Sequence, residues 1–546
     1  MDKTIKYINI FILVAGLLIP FFIFINRFLI PDISFDSINY HLYNGYKTVN
    51  YQNSKYEFYP TGIYSFSRIL DFPGFVLRNF LGYRLGSIGS LVYLYMSVLI
   101  LYKIFRFYEP KYELLNKWWS GIMLTSTFLS YEMFFQLATY YVDIEVAFLM
   151  LVSIYFLLKY ERTKKILDLR RSSFVVSVFV LGKMTTWYIL LPYFGYLSMI
   201  LCLDKKQNIK QKLVRLISIG VISLILVIPW WYKNLLQTGN PVFPFYNKIF
   251  KSGYYVSQNF SQNSMFGGRN IMERVFWGVL SINNPTRLGE GHDLYNDFKI
   301  NIYFILIIVV FLWSWRKRNK KLLKLSGFYL GIYLFWAIVF GYLRYGMVLE
   351  LLGGLILIVW FSEINFRNRN LIIIPIVLLM IYTGKNVVLK SLKYEVSWRA
   401  GLVTLGRDYF NNIKYLNTNE IGVNENGKEV KDLVYLNCSV PNLGFMVLSK
   451  YRNLPVINID RRSGTDLVTN GNYKEKIKKN ISSITSSSKI NFVTIAGSGG
   501  LINQKNDCEE TLIKIGATIT DQIKVDNFLG YDNQKLNVIY GNLTLN

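Results

Sequence analysis

Apolar runs of membrane-spanning length alternate with short polar segments through the first 384 residues of the chain. The first run covers residues 7–30, and the others follow at 86–102, 118–136, 142–158, 172–185, 186–203, 213–231, 300–315, 326–341, 346–361 and 371–383. A helix of roughly 20 apolar residues crosses the ~30 Å hydrocarbon core of a bilayer. The pattern predicts a mainly α fold, a polytopic transmembrane helical bundle of about 11 spans.

The charges between the runs predict the orientation. Connectors 103–117, 159–171, 204–215, 316–324 and 365–370 are short and basic, and all follow even-numbered runs. The two long loops, 31–85 and 232–299, lie on the other side. Lys and Arg concentrate in cytoplasmic loops, and Lys3 and Lys6 precede the first run. We therefore expect a multi-pass protein of the plasma (inner) membrane with a cytoplasmic N-terminus and an outside C-terminal part.

The sequence changes character from about Lys385. Apolar runs shorten to strand length at 433–437, 455–459, 490–495 and 536–540, and polar segments of helical character lie between them at 474–482 and 507–515. This alternation is typical of a small α/β domain. We predict a transmembrane domain at 1–384 and an extracytoplasmic α/β domain at 385–546.

The composition is that of a membrane protein, and it limits the kinds of partner that are expected. Hydrophobic residues make up 52% of the 546 positions and charged residues 17%, whereas soluble proteins carry about a quarter charged residues. The formal net charge of +27 could indicate a nucleic-acid partner, but the lysines and arginines concentrate between the apolar runs. The expected surroundings are a lipid bilayer, with no nucleic acid.

The first outer segment, residues 31–60, is unusually rich in acidic and aromatic side chains. It contains Asp32, Asp36, His41, Glu57 and six tyrosines. Asp36 follows the first run by six residues, so it cannot lie far from the membrane surface. A carboxylate in this setting is a candidate general base, although Asp is also a preferred N-cap.

Further charged residues lie at the outer ends of the runs. On the predicted topology Glu132, Asp143, Glu145, Lys183, Arg344 and Glu350 all face the same side as Asp36. Charges within a membrane protein usually mark function or a satisfied pair. Because the middles of the runs are almost uncharged, this pattern favours a catalytic cavity open to the outer leaflet over a transport pathway.

Four motifs resemble the GT-C class of integral-membrane glycosyltransferases. They are FDSINYHL at 35–42, YYVDIEVAF at 140–148, GKMTT at 182–186 and TGNPVFPF at 238–245, and Arg344–Tyr345 adds to them. The resemblance implies a polyprenyl-phosphate-sugar donor, an acidic residue of the first outer loop as base or acceptor ligand, and basic residues at outer helix ends that hold the lipid phosphate. The chain departs from relatives at Ser37, where many have a second acidic residue, and at Tyr43, where many have proline.

These observations give a candidate site. We predict Asp36 and Asp143 as catalytic residues, and the substrate-binding candidates are His41, Glu57, Lys183, Arg344, Tyr345 and His292. No cofactor is expected, since the glycine cluster AGSGG at 496–500 lacks the Lys and Ser/Thr of a phosphate-binding loop. A divalent ion bound by Asp36 with His292 or Asp293 is the alternative.

The predicted function is transfer of a sugar from a polyprenyl-phosphate-linked donor to a glycan or glycolipid acceptor at the outer face of the membrane. Two alternatives stay open. One is a polymerase or ligase of lipid-linked glycans, because the outer loops contain several arginines. The other is a lipid or polysaccharide transporter without chemistry.

Single-cysteine labelling tests the topology. In a background without the three native cysteines, a cysteine at Ser463 should react with an impermeant reagent in intact cells. A cysteine at Asn319 should react only after the membrane is broken, because this basic connector is expected to be cytoplasmic. Labelling of position 319 from outside would contradict the orientation.

Overall fold

The computed structural model describes residues 2–28, 67–108, 117–253, 267–288, 298–364 and 369–393 with short gaps. It also describes a few positions between 36 and 48 and the strands between 433 and 545. The α-helices are α1 Asp2–Phe28, α2 Asp71–Leu81, α3 Ile88–Tyr108, α4 Ser120–Phe128, α5 Tyr131–Phe135, α6 Asp143–Thr163, α7 Ile166–Gly182, α8 Leu190–Leu203, α9 Ile209–Leu224, α10 Val227–Thr238, α11 Asn247–Phe250, α12 Ile271–Val275, α13 Trp277–Leu280, α14 Lys299–Arg316, α15 Lys320–Val339, α16 Met347–Glu363 and α17 Arg369–Lys393.

The chain is a mainly helical, multi-pass membrane protein. Within the described part, seven helical segments are long and apolar enough to cross a bilayer. The number is eight if α9 and α10, which are bent by 55° relative to each other, together form one span. Every predicted run coincides with one or two helices. The count of eleven stays a prediction, because run 118–136 divides into α4 and α5, α6 carries several charges, and α7 has only 17 residues.

Helix α16 lies at the centre of the bundle. In the segment Leu343–Glu363, 89% of the 18 most apolar consecutive residues are buried inside the protein. Two adjacent glycines let neighbouring helices approach it closely. A Cβ at Gly353 would lie 2.5 Å from Tyr303 of α14, and one at Gly354 would lie 2.4 Å from Thr127 of α4. The absence of side chains at these two positions therefore sets the packing around α16.

Loop 31–85 contains a helix that the sequence did not indicate. Helix α2 exposes Phe72 and Phe80 and buries Phe75, so it is amphipathic. A Cβ at Gly45 would come within 2.2 Å of Phe75. Gly45 thus packs directly on α2.

The C-terminal strands are β1 Leu433–Asn437, β2 Val456–Asn458, β3 Lys489–Ala496, β4 Ala517–Leu529 and β5 Lys535–Leu545. They form one sheet in the order β2-β1-β3-β5-β4. The β1 pairings with β2 and β3 are parallel, and the β5 pairings with β3 and β4 are antiparallel.

The four predicted strands coincide with β1, β2, β3 and β5. The sequence did not indicate β4, which is interrupted by register shifts and carries Asp521, Lys524 and Asp526. The predicted helical segments 474–482 and 507–515 lie almost wholly outside the described residues. The α/β domain and its extracytoplasmic side remain predictions, and α17 continues to Lys393, beyond the predicted boundary at 384.

The packing of α16 predicts a stability effect. Gly354→Ala should destabilise the protein by about 1–3 kcal/mol, because its Cβ would collide with the β-branched Thr127. Gly220→Ala on α9 is the matched control, since its Cβ would meet no atom within 4 Å. Alanine is the better helix former, so the control should be neutral or slightly stabilising. Thermal unfolding in detergent measures both, and equal melting temperatures for the two variants would contradict the packing account.

Candidate active site

Four charged side chains from separate parts of the chain meet at one end of the bundle. The Nη2 atom of Arg344 donates a hydrogen bond to Oδ2 of Asp36 at 2.7 Å, and its Nε lies 3.5 Å from Oδ2 of Asp143. The Lys183 ammonium donates to Oδ1 of Asp143. The exposed fractions are 15% for Asp36, 11% for Lys183, 5% for Arg344 and 3% for Asp143. The two cations and two anions neutralise one another in a nearly buried cluster.

Breaks between helices place these side chains. Asp143 is the first residue of α6, where the positive end of the helix dipole favours a carboxylate. Lys183 is extended, with φ −145° and ψ 102°, between α7 and the 3₁₀ helix Met184–Ile189. Arg344 lies in the 3₁₀ helix Leu343–Gly346 between α15 and α16.

Loop 232–299 supports the turn that leads to Arg344. Gly341 has φ +60°, a conformation that favours glycine, and a Cβ there would lie 2.9 Å from the Cα of Gly267. Trp277 donates from its indole nitrogen to the Gly341 carbonyl at 2.8 Å. Residues of loop 232–299 therefore help to fix the position of the guanidinium.

Tyrosines surround the two cations. The Cζ of Arg344 lies 5.0 Å from the ring centre of Tyr141, 5.3 Å from that of Tyr342 and 5.4 Å from that of Tyr345. The Lys183 ammonium lies 5.0 Å from the Tyr345 ring. Aromatic faces attract cations and restrict their orientation. Tyr188 donates to the Tyr345 carbonyl at 2.7 Å and so connects the two 3₁₀ helices.

A small pocket opens beside the cations. Its lining includes Asp143, Lys183, Thr185, Thr186, Arg344 and Tyr345. Two cations and two hydroxyl-bearing side chains around one space form an arrangement that can hold an anionic oxygen group. The sequence indicated both cations as site residues. The two threonines and Tyr141 lie in the motifs GKMTT and YYVDIEVAF but were not among the predicted site residues, and Tyr342 lies in none of the motifs.

His41 belongs to a neighbouring polar group. Its Nδ1 is hydrogen-bonded to Asp71 at 2.5 Å, and Asn44 donates to the other oxygen of Asp71 at 2.9 Å. Asp71 is the first residue of α2. The His41 ring also meets Tyr141 edge-on, with ring centres 6.0 Å apart. Tyr141 thus contacts both His41 and Arg344, and places the two groups side by side.

The other outer-end carboxylates lie elsewhere in the protein. Glu350 is fully buried and accepts a hydrogen bond from Ser130, the N-cap of α5. Glu145 lines a pocket together with His41 and Asp71, on the other side of α6 from Asp143. The predicted residues Glu57 and His292 lie outside the described part of the chain, so their roles remain predictions.

The described residues contain no group of three or more His, Cys, Asp or Glu side chains that could hold a metal ion. The alternative of a divalent ion at Asp36 involves His292 or Asp293, both beyond the described positions. That alternative remains a prediction.

The helical bundle, with charged residues at the breaks between its helices, has a fold similar to that of known structures. The chain is similar to two crystal structures of ArnT from Cupriavidus metallidurans, one bound to undecaprenyl phosphate and one in the apo state. In both cases the sequences are 11% identical, 97% of each chain is covered and the TM-score is 0.50. A structure of the oligosaccharyltransferase from Archaeoglobus fulgidus matches 88% of this chain and 67% of its own, with 13% identity and a TM-score of 0.45.

No family model matches the sequence, and no curated protein matches it either. The similarity to ArnT therefore establishes the fold, and the activity has to be argued from the site.

The charge cluster predicts a coupling between its members. Arg344→Ala should destabilise the protein by about 3 kcal/mol, because it removes the guanidinium from two largely buried carboxylates. Arg344→Lys should recover part of this loss, since a point charge cannot contact both carboxylates as the planar guanidinium does.

A double variant isolates the interaction. Adding Asp36→Asn to Arg344→Ala should cost less than the sum of the single losses, by about 1 kcal/mol or more. Thermal unfolding in detergent measures all three variants. Strict additivity would show that the ion pair between Asp36 and Arg344 contributes nothing to stability.

Proposed function

We propose that this chain is a membrane glycosyltransferase that moves a sugar from a polyprenyl-phosphate-linked donor to a glycan or glycolipid acceptor at the outer face of the membrane. The observation that carries the proposal is the cluster of Asp36, Asp143, Lys183 and Arg344 in a chain whose fold is similar to that of ArnT. ArnT, the protein with the similar fold, has a structure bound to undecaprenyl phosphate.

Lys183 and Arg344 are the proposed ligands of the donor phosphate. Both cations line the small pocket and both are held by Asp143, so they present their charges from fixed positions. A guanidinium can contact two phosphate oxygens at once. The sequence predicted Asp143 as a catalytic residue. Because its two oxygens face Lys183 and Arg344, the role we propose for it is to position these cations beside the reacting groups.

Asp36 is the proposed base. It is the most exposed member of the cluster, at 15%, so an acceptor hydroxyl can reach it most easily. In the proposed step the acceptor O–H bond breaks and the proton passes to the Asp36 carboxylate. The acceptor oxygen bonds to the anomeric carbon, and the bond from that carbon to the phosphate oxygen breaks, its electron pair leaving with the phosphate.

The charges of this step balance within the cluster. The donor phosphodiester carries one negative charge and the released lipid phosphate gains a second, while Asp36 loses its charge on protonation. Arg344 contacts Asp36 at 2.7 Å and also lines the small pocket, so it can shift its contact from the carboxylate to the phosphate when the donor binds. The negative charge that develops on the leaving group is thus stabilised by a cation that is already in place.

Transfer assays test the proposal. Purified protein is incubated with a panel of radiolabelled polyprenyl-phosphate sugars and with membrane glycan extracts, and incorporation of label into glycan or glycolipid is measured. Wild-type protein should transfer label from at least one donor. Asp36→Asn should reduce turnover by at least ~10²-fold while binding of the donor survives, because asparagine keeps the shape but cannot accept the proton.

Asp32→Asn is the matched control and should have a mild effect. If Asp36 served only as a helix cap, asparagine would cap about equally well and turnover would change little. An active Asp36→Asn variant would therefore exclude Asp36 as the base, and transfer from no donor of the panel would contradict the proposed function itself.

A further inference from the structure

An apolar groove lies between α8, α14 and α15. Its volume is about 620 Å³, within the range of about 300–1,000 Å³ that is typical of small-molecule sites. The walls include Pro192, Gly195, Met199, Phe311, Trp315 and Gly331. The groove follows the first half of α15, and Arg344 comes after the other end of that helix. It is therefore separate from the candidate active site.

Glycines keep the groove open. Gly195, Gly327 and Gly331 all line it, and a Cβ at Gly195 would meet no atom within 4 Å. Glycine within a helix is less favourable than alanine, so its presence in two adjoining helices needs a compensating reason. Larger side chains at these positions would fill the space between α8 and α15.

One end of the groove lies in a strongly basic environment. The connector 316–324, RKRNKKLLK, contains six cations and no acidic residue. Arg316, Lys317, Arg318 and Lys320 are exposed, and among the described residues none of these four forms an ion pair.

One acidic residue lies close to this end of the groove. Lys324, which lines the groove, is paired with Glu161 at 2.5 Å, and Tyr196 donates to the same carboxylate at 2.8 Å. Glu161 therefore neutralises one cation of the connector and leaves a positively charged mouth. Trp315 on the wall is 67% exposed, as is typical of a residue at the membrane interface.

We propose that this groove binds an acyl chain of an anionic phospholipid whose headgroup lies against connector 316–324. The groove residues of α15 run from Leu323 to Gly331, a rise of about 12 Å at ~1.5 Å per residue, which is somewhat more than a third of the ~30 Å hydrocarbon core. This depth suits the part of one acyl chain that lies nearest to its headgroup. The lipid would belong to the leaflet on the side of the basic connectors, opposite to the side proposed for the glycosyl donor.

The positive charge at the mouth of the groove determines which class of lipid we expect to bind there. A cation close to an anionic headgroup strengthens binding by about fivefold, and a zwitterionic lipid does not gain this contribution. The exposed cations of the connector therefore favour phosphatidylglycerol over phosphatidylcholine. The site is independent of the proposed transfer reaction, since none of the four clustered charged residues lines it.

Native mass spectrometry tests the proposal. Delipidated wild-type protein is incubated with an equimolar mixture of phosphatidylglycerol and phosphatidylcholine that carry identical acyl chains. It should retain phosphatidylglycerol in at least about tenfold excess. Gly195→Leu should lose this binding because leucine occupies the groove, while Gly220→Leu, whose Cβ also meets no atom within 4 Å, should retain it.

A charge variant separates the headgroup from the chain. The combined variant Arg316→Gln, Lys317→Gln and Arg318→Gln changes only exposed side chains and should retain phosphatidylglycerol in a much smaller excess than wild type does, because only part of the connector's charge remains. Equal binding of the two lipids by wild type would overturn the proposal, as would equal retention by Gly195→Leu and Gly220→Leu. If added undecaprenyl phosphate displaced the phospholipid and its own binding required Gly195, the groove would hold the donor tail and the proposal would be wrong.

Discussion

Ionised side chains are costly at membrane depth, and the architecture of the helical part follows from this constraint. Asp143, Lys183 and Arg344 all lie where a helix begins or ends, and not in the middle of a span. There they pair with one another and with Asp36, so each charge meets an opposite charge within a nearly buried space. The helix breaks thus allow these side chains to converge in a space that the protein encloses.

Close helix packing fixes the positions of these helix breaks relative to one another. The central α16 follows directly after the 3₁₀ helix that carries Arg344, and its glycines admit α4 and α14 to near contact. The buried bond from Ser130 to Glu350 attaches the N-cap of α5 to the first turn of α16. The position of the guanidinium therefore depends on helices that contribute no charged residue to the cluster.

The sequence predicted the helices, because the hydropathy of each run can be read from the run itself. It also predicted that Asp143, Lys183 and Arg344 meet, because the basic connectors place the ends of their runs on the same side of the membrane. It predicted Tyr345 as a site residue, but it did not predict Tyr141, Tyr342 or the role of Asp71. Tyrosine is common throughout this sequence, with 41 copies, so no spacing distinguishes the ones that meet a guanidinium. Asp71 contacts His41 and Asn44 from about 30 positions along the chain, and such a contact depends on how the loop folds onto α2.

The shared position of Arg344 has a consequence for the order of events in the proposed reaction. While the guanidinium is hydrogen-bonded to Asp36, it stabilises the ionised carboxylate and makes it a weaker proton acceptor. A donor phosphate beside Lys183 would compete for the same guanidinium and would thereby make Asp36 a stronger base. Proton transfer to Asp36 would thus become favourable only when the donor is bound, and an acceptor that arrived alone would not be activated.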